Sequence, residues 1–331
     1  MSTRSTRKKV EEIIRSAREK GQKPNFCRAN LRGVDLHRTD LREANFSGAD
    51  LIRANLSAAD LSKADLKGTE LSWTKLNETV LFKADLSHAK LYKADLNDAI
   101  LNDAVMIRAD LYGAILSNAQ LIGTNLAEAT LMWTICVNAS LSLANLSKAY
   151  LYETDLHRAN LYKANLSKAV IDRANFTGAN LSKINLSEAV VGGGIFGNVD
   201  LSTVKGLETV RHNGPSTIGI DTIICSKGNI PPIFLERAGV LPEFIAYLEK
   251  IKIPKCHHSQ ETLDIWIITK QQVVETCSKR LGHYQKQAAA YGSLNVPFHI
   301  IEEIDKAKKE IEEGLAQIKE WQQLKDLHYS A

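Results

Sequence analysis

The sequence predicts a mainly β solenoid, a stack of short coils, and three observations carry that prediction. Every fifth residue from Phe26 to Leu201 is Leu, Phe, Ile, Met, Val or Cys, which makes 36 successive centres with no insertion or deletion. The residue two places before each centre is mostly Ala, or else Thr at Thr39, Thr69, Thr74, Thr79, Thr124, Thr134 and Thr154. Asp or Asn stands between the two in most repeats, as in Ala64-Asp65-Leu66 and Ala164-Asn165-Leu166. In an extended segment, residues two apart point the same way, so the small and large residues share one side and the Asp or Asn takes the other. The remaining two residues form a polar corner where the chain turns. On a helix, a step of five residues scatters the leucines over the whole surface. A flat parallel sheet needs connections longer than two residues. Coils stacked with strand-like hydrogen bonding bury the Leu and Ala columns along one axis, and a leucine in every repeat supplies the core that a disordered tract lacks.

Residues 1–25 read as a basic N-terminal cap, with eight Lys/Arg against three acids. Within them residues 5–20 form an amphipathic helix whose apolar face holds Val10, Ile13 and Ile14. Open coil ends expose unpaired backbone, so a cap is expected at each end. The helix's positive charge reads as a solvated face, not as a nucleic-acid site. Residues 26–205 balance at nineteen basic and nineteen acidic side chains, and the rest of the chain is one unit acidic.

The tandem A(D/N)LXX motif resembles the pentapeptide-repeat family over about 180 residues. The resemblance implies a right-handed, quadrilateral β-helix with four repeats per coil, hence about nine coils and a rod about 43 Å long at strand spacing. The motif is broken at the ends, where Pro24, Ile184, Gly194 and Val199 replace the small residue, and Gly192-Gly193-Gly194 is expected to loosen the final coils. Coils of twenty residues stack positions 20 apart. Sorted that way, one outward column holds Ile52, Trp73, Tyr92, Tyr112, Met132, Trp133 and Tyr152, and the opposite one holds Phe82, Ile122, Leu143 and Tyr162. The first column is the candidate partner-binding surface, since contiguous exposed apolar patches mark interaction sites.

Residues 206–258 read as a connector and C-terminal cap, with a short β element over 217–224, a proline-started segment, and a helix from Pro242 to about residue 251. This stretch resembles the connector that, in some bacterial pentapeptide-repeat proteins, leads to a Toll/interleukin-receptor-type or other effector domain. Here two helices follow instead. Residues 259–291 place Leu263, Trp266, Ile267, Val273, Leu281 and Tyr284 at helical spacing, and Gly292 stops that helix. Pro297 opens a second one, with Ile300, Ile304, Ala307, Ile311, Leu315, Ile318, Trp321 and Leu324 along one stripe. Gly314 weakens it by about 1 kcal/mol relative to Ala. The pair reads as an antiparallel hairpin over 259–331, an adaptor that buries its stripe, Ile304, Ile311, Ile318 and Trp321 included, in a homodimer or on a partner or effector. The run YGSLNVPFHIIEEIDKAKKEI resembles helical modules of bacterial conflict and defence proteins.

Nothing in the sequence assembles a catalytic centre, and the chain is read as no enzyme. The rod's carboxylates stand at outward positions, where solvated groups keep ordinary acidity. Neither glycine-rich phosphate fingerprint occurs. Cys256-His257-His258 with Cys277 or His283 lacks zinc-ligand spacing, so neither metal nor cofactor is expected. His212 and Asp221 are a candidate pair that reads more simply as turn caps. Unpaired spacing of Cys27, Cys136, Cys225, Cys256 and Cys277, no apolar run near the roughly 20 residues of a membrane span, and no signal peptide point to the cytoplasm. Two functions follow. One is a protein-interaction scaffold or adaptor in bacterial defence or signalling. The other, implied by the family resemblance, is a DNA mimic that inhibits a type II topoisomerase. Mimicry needs a strongly negative rod, and the charge balance, with Lys83, Lys93, Lys163 and Lys183 standing on it, favours the scaffold without nucleic acid or membrane.

Overall fold

The computed structural model describes residues 3–250 and 298–329, together with Ser278, Leu281 and Gln285. The chain divides into two compact units between Ile253 and Pro254. Most repeats of the first unit are built on a four-residue turn. The centre's carbonyl accepts the N–H three residues on, as Leu51 does from Ala54 at 2.9 Å. The third turn residue takes a positive φ, 58° at Arg53 and 52° at Lys93, as in a type II turn. For a side chain with a Cβ that conformation is costly, and it persists because the same residue's N–H finds a partner in the next coil, as Arg53 finds the Ser72 carbonyl at 3.0 Å.

Coils stack through the same short hydrogen bonds. The Leu31 N–H donates to the Asp50 carbonyl at 2.7 Å, and the Asp50 N–H returns to the Ala29 carbonyl at 2.9 Å. Parallel bridges therefore join residues twenty apart, from Asn25 with Asn45 to Asn185 with Lys205. Most sides pair through one bridging residue, and strands appear only near the C-terminal end of the rod, where β1 (Val170–Asp172) pairs with β2 (Val190–Gly192). Every centre from Phe26 to Leu201 is buried.

The small inward position hides a hydrogen bond. Thr74 is fully buried, and its hydroxyl donates to the Leu51 carbonyl at 2.8 Å, the centre twenty-three residues earlier. Thr69, Thr79, Thr124, Thr134 and Thr154 repeat that contact on Phe46, Leu56, Leu101, Leu111 and Leu131. The carbonyl keeps its turn partner as well, so Thr74→Val is expected to cost about 1 kcal/mol in denaturant unfolding. No measurable change would mean that the hydroxyl bond adds nothing to stability.

Both ends of the rod are closed. Phe26 stacks on Phe46 with ring centroids 4.9 Å apart, and Phe176 stacks on Phe196 at 5.2 Å. Helix α1 (Thr3–Glu19) lays Val10 and Ile14 against the core. Ile13, expected on that face, is 44% exposed, because it stands 100° around the helix from Ile14. Nor is the helix's charge merely solvated: Arg18 donates to the Arg42 carbonyl and pairs with Asp40, both at 3.1 Å, and Arg7 reaches His37 Nδ1 at 3.1 Å.

At the other end the connector adds one irregular turn. Strand β3 (Ile195–Phe196) pairs in parallel with β5 (Thr217–Ile218), and β2 with β4 (Arg211–His212). The β element expected over 217–224 stops at Ile218, and α2 (Ile220–Cys225) takes its place. The reason is in the backbone of the last coil. Thr222 Oγ1 donates to the Phe196 carbonyl at 2.7 Å and accepts the Val199 N–H at 3.3 Å, while Ser226 Oγ accepts the Leu201 N–H at 2.9 Å. Both hydroxyls are buried, and they satisfy groups that a further strand would otherwise claim. Helix α3 (Pro232–Arg237) sets Phe234 edge-on to Phe196 at 6.2 Å, and α4 (Pro242–Lys250) follows. The three glycines do not loosen this end. The Gly193 N–H donates to the Pro215 carbonyl at 2.8 Å, and a Cβ on Gly192 would collide with the Asn213 side chain.

In the second unit α5 spans Phe298–Tyr329 and runs unbroken through Gly314. Ala307, Gly314 and Ile318 are buried and Ile304 and Ile311 half-buried, but Leu315, expected on the stripe, is 52% exposed. Gly314 occupies the inward place beside it. Of the first expected helix, 259–291, only Ser278, Leu281 and Gln285 are described, and Leu263, Trp266 and Cys256-His257-His258 lie outside the described residues.

Candidate interaction surface

The two residues after each centre point away from the core, and the twenty-residue register lines them up along the rod. All seven residues of the predicted column come together on one face. Trp73 meets Tyr92 at 5.7 Å, Tyr92 stacks on Tyr112 at 5.6 Å, and Trp133 meets Tyr152 at 6.1 Å. Trp73 and Trp133 are 48% and 49% exposed, and Ile52 and Met132 are half-buried between coils. Such contacts between rings in neighbouring coils are worth about 0.5–1.5 kcal/mol beyond area burial.

Cations sit on the rings. Lys93 Nζ lies 4.8 Å from the Trp73 ring and 5.4 Å from Tyr92, and the Arg173 guanidinium lies 5.7 Å from Tyr152. Arg173 also bonds Glu153 at 3.1 Å, and that carboxylate beside the Tyr152 hydroxyl holds the phenol above its usual acidity range. On the opposite face Lys83 covers Phe82, and Lys163 and Lys183 cover Tyr162. The four lysines noted on the rod are thus all partners of aromatic rings.

The surface is wider than the sequence reading placed it. Ile115, Ile135, Tyr150 and Val170 occupy the place between the small residue and the centre, where most repeats carry Asp or Asn. Ile135 and Tyr150 are exposed there, flanking the ring column. Sorting that third outward position by coil would have found them. Charge points the same way. Between Asp110 and Lys148 the chain holds one ionisable acid or base among Asp, Glu, Lys and Arg, Glu128. Depletion of charge with aromatic enrichment is the composition of an interface core.

The C-terminal candidates separate. Ile304 and Ile311 are half-buried, Ile318 is buried, and the Trp321 side chain lies outside the described residues. His212 and Asp221 form no pair. Asp221 Oδ1 accepts the Thr222 N–H at 2.8 Å, whereas the buried ring nitrogens of His212 have no hydrogen-bond partner among the described residues and its ring lies 5.0 Å from Phe234. Burial, and then the charge of Arg237, hold His212 below its ordinary 6.5. The unfolded chain therefore takes the proton more readily, so the stability that neutral His212 contributes is complete above pH 6.5 and is lost as pH falls below it. His212→Gln is expected to flatten the fall in urea midpoint between about pH 7.5 and about pH 5.5, and an unchanged slope would refute that coupling. Cys136, which replaces a leucine centre, is pushed by burial up to about 12 and is an inert core thiol.

Models of pentapeptide repeats match the chain in 8 copies that together run over residues 25–202. The chain belongs to the pentapeptide-repeat family. Membership brings a right-handed β-helix solenoid, in agreement with the twenty-residue parallel register. Among solved structures the repeat region is similar to HetL, a pentapeptide repeat protein involved in heterocyst differentiation regulation from the cyanobacterium Nostoc sp. Strain PCC 7120. The identity is 28% over 61% of this chain and 95% of HetL, with a TM-score of 0.23. Rfr23 from the cyanobacterium Cyanothece 51142 is 28% identical over 38% of this chain and 64% of Rfr23, with a TM-score of 0.16. QnrB1, a plasmid-mediated fluoroquinolone resistance protein, is 20% identical over 54% of this chain and 87% of its own, with a TM-score of 0.39. No curated protein matches the chain.

Proposed function

We propose that this pentapeptide-repeat protein is a non-enzymatic interaction scaffold, a rod of about nine coils that carries an aromatic contact face and a C-terminal helical hairpin that recruits a protein partner. The exposed ring column, whose middle rows at Tyr112, Met132 and Trp133 lie in a stretch with a single charged residue, carries this reading. The rod's acids support it too. Glu70 pairs with Lys90, Asp85 with Lys67 and Glu128 with Arg108 across neighbouring coils, which cancels the negative field that a DNA mimic needs. Affinity capture from the native host tests the adaptor role, with the full chain compared with a chain ending at Lys255. A protein partner lost on truncation is the expected result. Identical captures refute recruitment by the hairpin, and inhibition of gyrase supercoiling at near-stoichiometric protein revives the mimic in its place.

A further inference from the structure

The scaffold reading leaves the occupant of the aromatic face open, and this inference deepens that reading. We propose that the face binds a second copy of this chain, laid antiparallel about a two-fold axis that crosses the rod between the coils of Tyr112 and Met132. The twenty-residue step places Trp73, Lys93, Gly113, Trp133, Glu153 and Arg173 in successive rows of one outward column, about 4.8 Å apart. An antiparallel two-fold matches rows at equal distance on either side of its axis. Gly113 then faces Trp133, Lys93 faces Glu153, and Trp73 faces Arg173, each contact occurring twice.

Every one of those matches is complementary. The indole of Trp133 projects where Gly113 has no side chain. A cation meets a carboxylate, and a guanidinium meets an indole face. Within each copy Lys93 already lies over Trp73 and Arg173 already bonds Glu153, so docking joins two preformed pairs into one alternating cluster. The neighbouring columns agree. Tyr112 faces Met132, Tyr92 faces Tyr152, and Ile115 faces Ile135. Asp95 against Asp155 is the adverse match, one row out from Ile115 and Ile135, and Lys93 stands two residues from Asp95 on the same corner to offset it. A parallel pairing fares worse, because it sets Lys93 on Lys93, Glu153 on Glu153 and Trp133 on Trp133. From Trp73 to Arg173 the matched stripe is about 24 Å long.

A disulfide tests the geometry in the full chain. Positions 93 and 153 lie three coils apart in one rod, about 14 Å, beyond the reach of a disulfide, so a bond between them joins two copies. The variant with Lys93→Cys and Glu153→Cys is expected to give, on mild oxidation, a covalent dimer that yields a 93–153 linked peptide by mass spectrometry. Each single variant is expected to give no link at its own position. Sedimentation of the wild type at micromolar concentration is expected to show a dimer, and Trp133→Asp, at an exposed corner, to weaken it at least tenfold. Self-linked single variants, a missing 93–153 link, or a dimer insensitive to Trp133→Asp each overturn the proposal. A wild type that stays monomeric overturns it as well, and leaves partner recruitment to the capture experiment.

Discussion

Phe234→Ala is expected to lower the unfolding free energy by about 3–5 kcal/mol and to release the C-terminal end of the rod before its middle. Phe234 is fully buried, packed edge-on to Phe196 at 6.2 Å, and Phe196 continues the stack onto Phe176 at 5.2 Å. Helix α3 also anchors the connector through Arg237, which donates to the Val210 carbonyl at 3.1 Å. With α3 loose, α2 loses its backing, and the hydroxyls of Thr222 and Ser226 leave the Phe196 carbonyl and the Val199 and Leu201 N–H groups. In a solenoid each coil touches only its neighbours, so damage at one end spreads inward coil by coil. Hydrogen exchange reads this directly. Protection is expected to fall over residues 190–240 while residues 60–120 keep theirs. A uniform fall, or a loss under about 1 kcal/mol, would show that the connector is not the element that holds the end closed.

How much of this was legible depends on whether the controlling contact is local in sequence or set by stacking. The five-residue step announces itself, because a centre and the small residue before it belong to one extended segment, and twenty-residue sorting is enough to assemble the ring column from Trp73 to Tyr152. The Thr74 bond to Leu51 was invisible, since donor and acceptor meet only after a coil and a turn have been wound between them. The same holds for α2. Its sequence, IDTIIC, has the β-branched character of a strand, and only the Val199 and Leu201 N–H groups of the last coil select a helix that aims Thr222 and Ser226 at them. Lys93 looked like free surface charge, and its place over Trp73 follows from the coil spacing. On α5, counting apolar residues put Leu315 inward, whereas the backbone turns Gly314 to that side and leaves Leu315 to solvent.

Deletion of Asn118 is expected to cost about 4–7 kcal/mol although it removes no buried atom. Asn118 is an exposed corner residue with φ 60°. Its N–H donates to the Val137 carbonyl at 2.9 Å, and the turn around it is closed by the Ala119 N–H on the Leu116 carbonyl at 3.1 Å. A side of four residues cannot keep both bonds and still aim Ala119 and Leu121 inward. If the chain holds its later coils in place, the two bonds are lost at about 1 kcal/mol each and a neighbouring leucine leaves the core at about 2–5 kcal/mol. If it holds the bonds instead, every later centre slips by one place and turns its leucine toward solvent, which is worse. Asn118→Gly is the matched control, since glycine accepts the positive φ, and it is expected to stay within about 1 kcal/mol of wild type. Denaturant unfolding of the two variants side by side decides the matter. A deletion variant as stable as Asn118→Gly would mean that the coil accepts a four-residue side, and the unbroken run of centres from Phe26 to Leu201 would then need a cause other than packing.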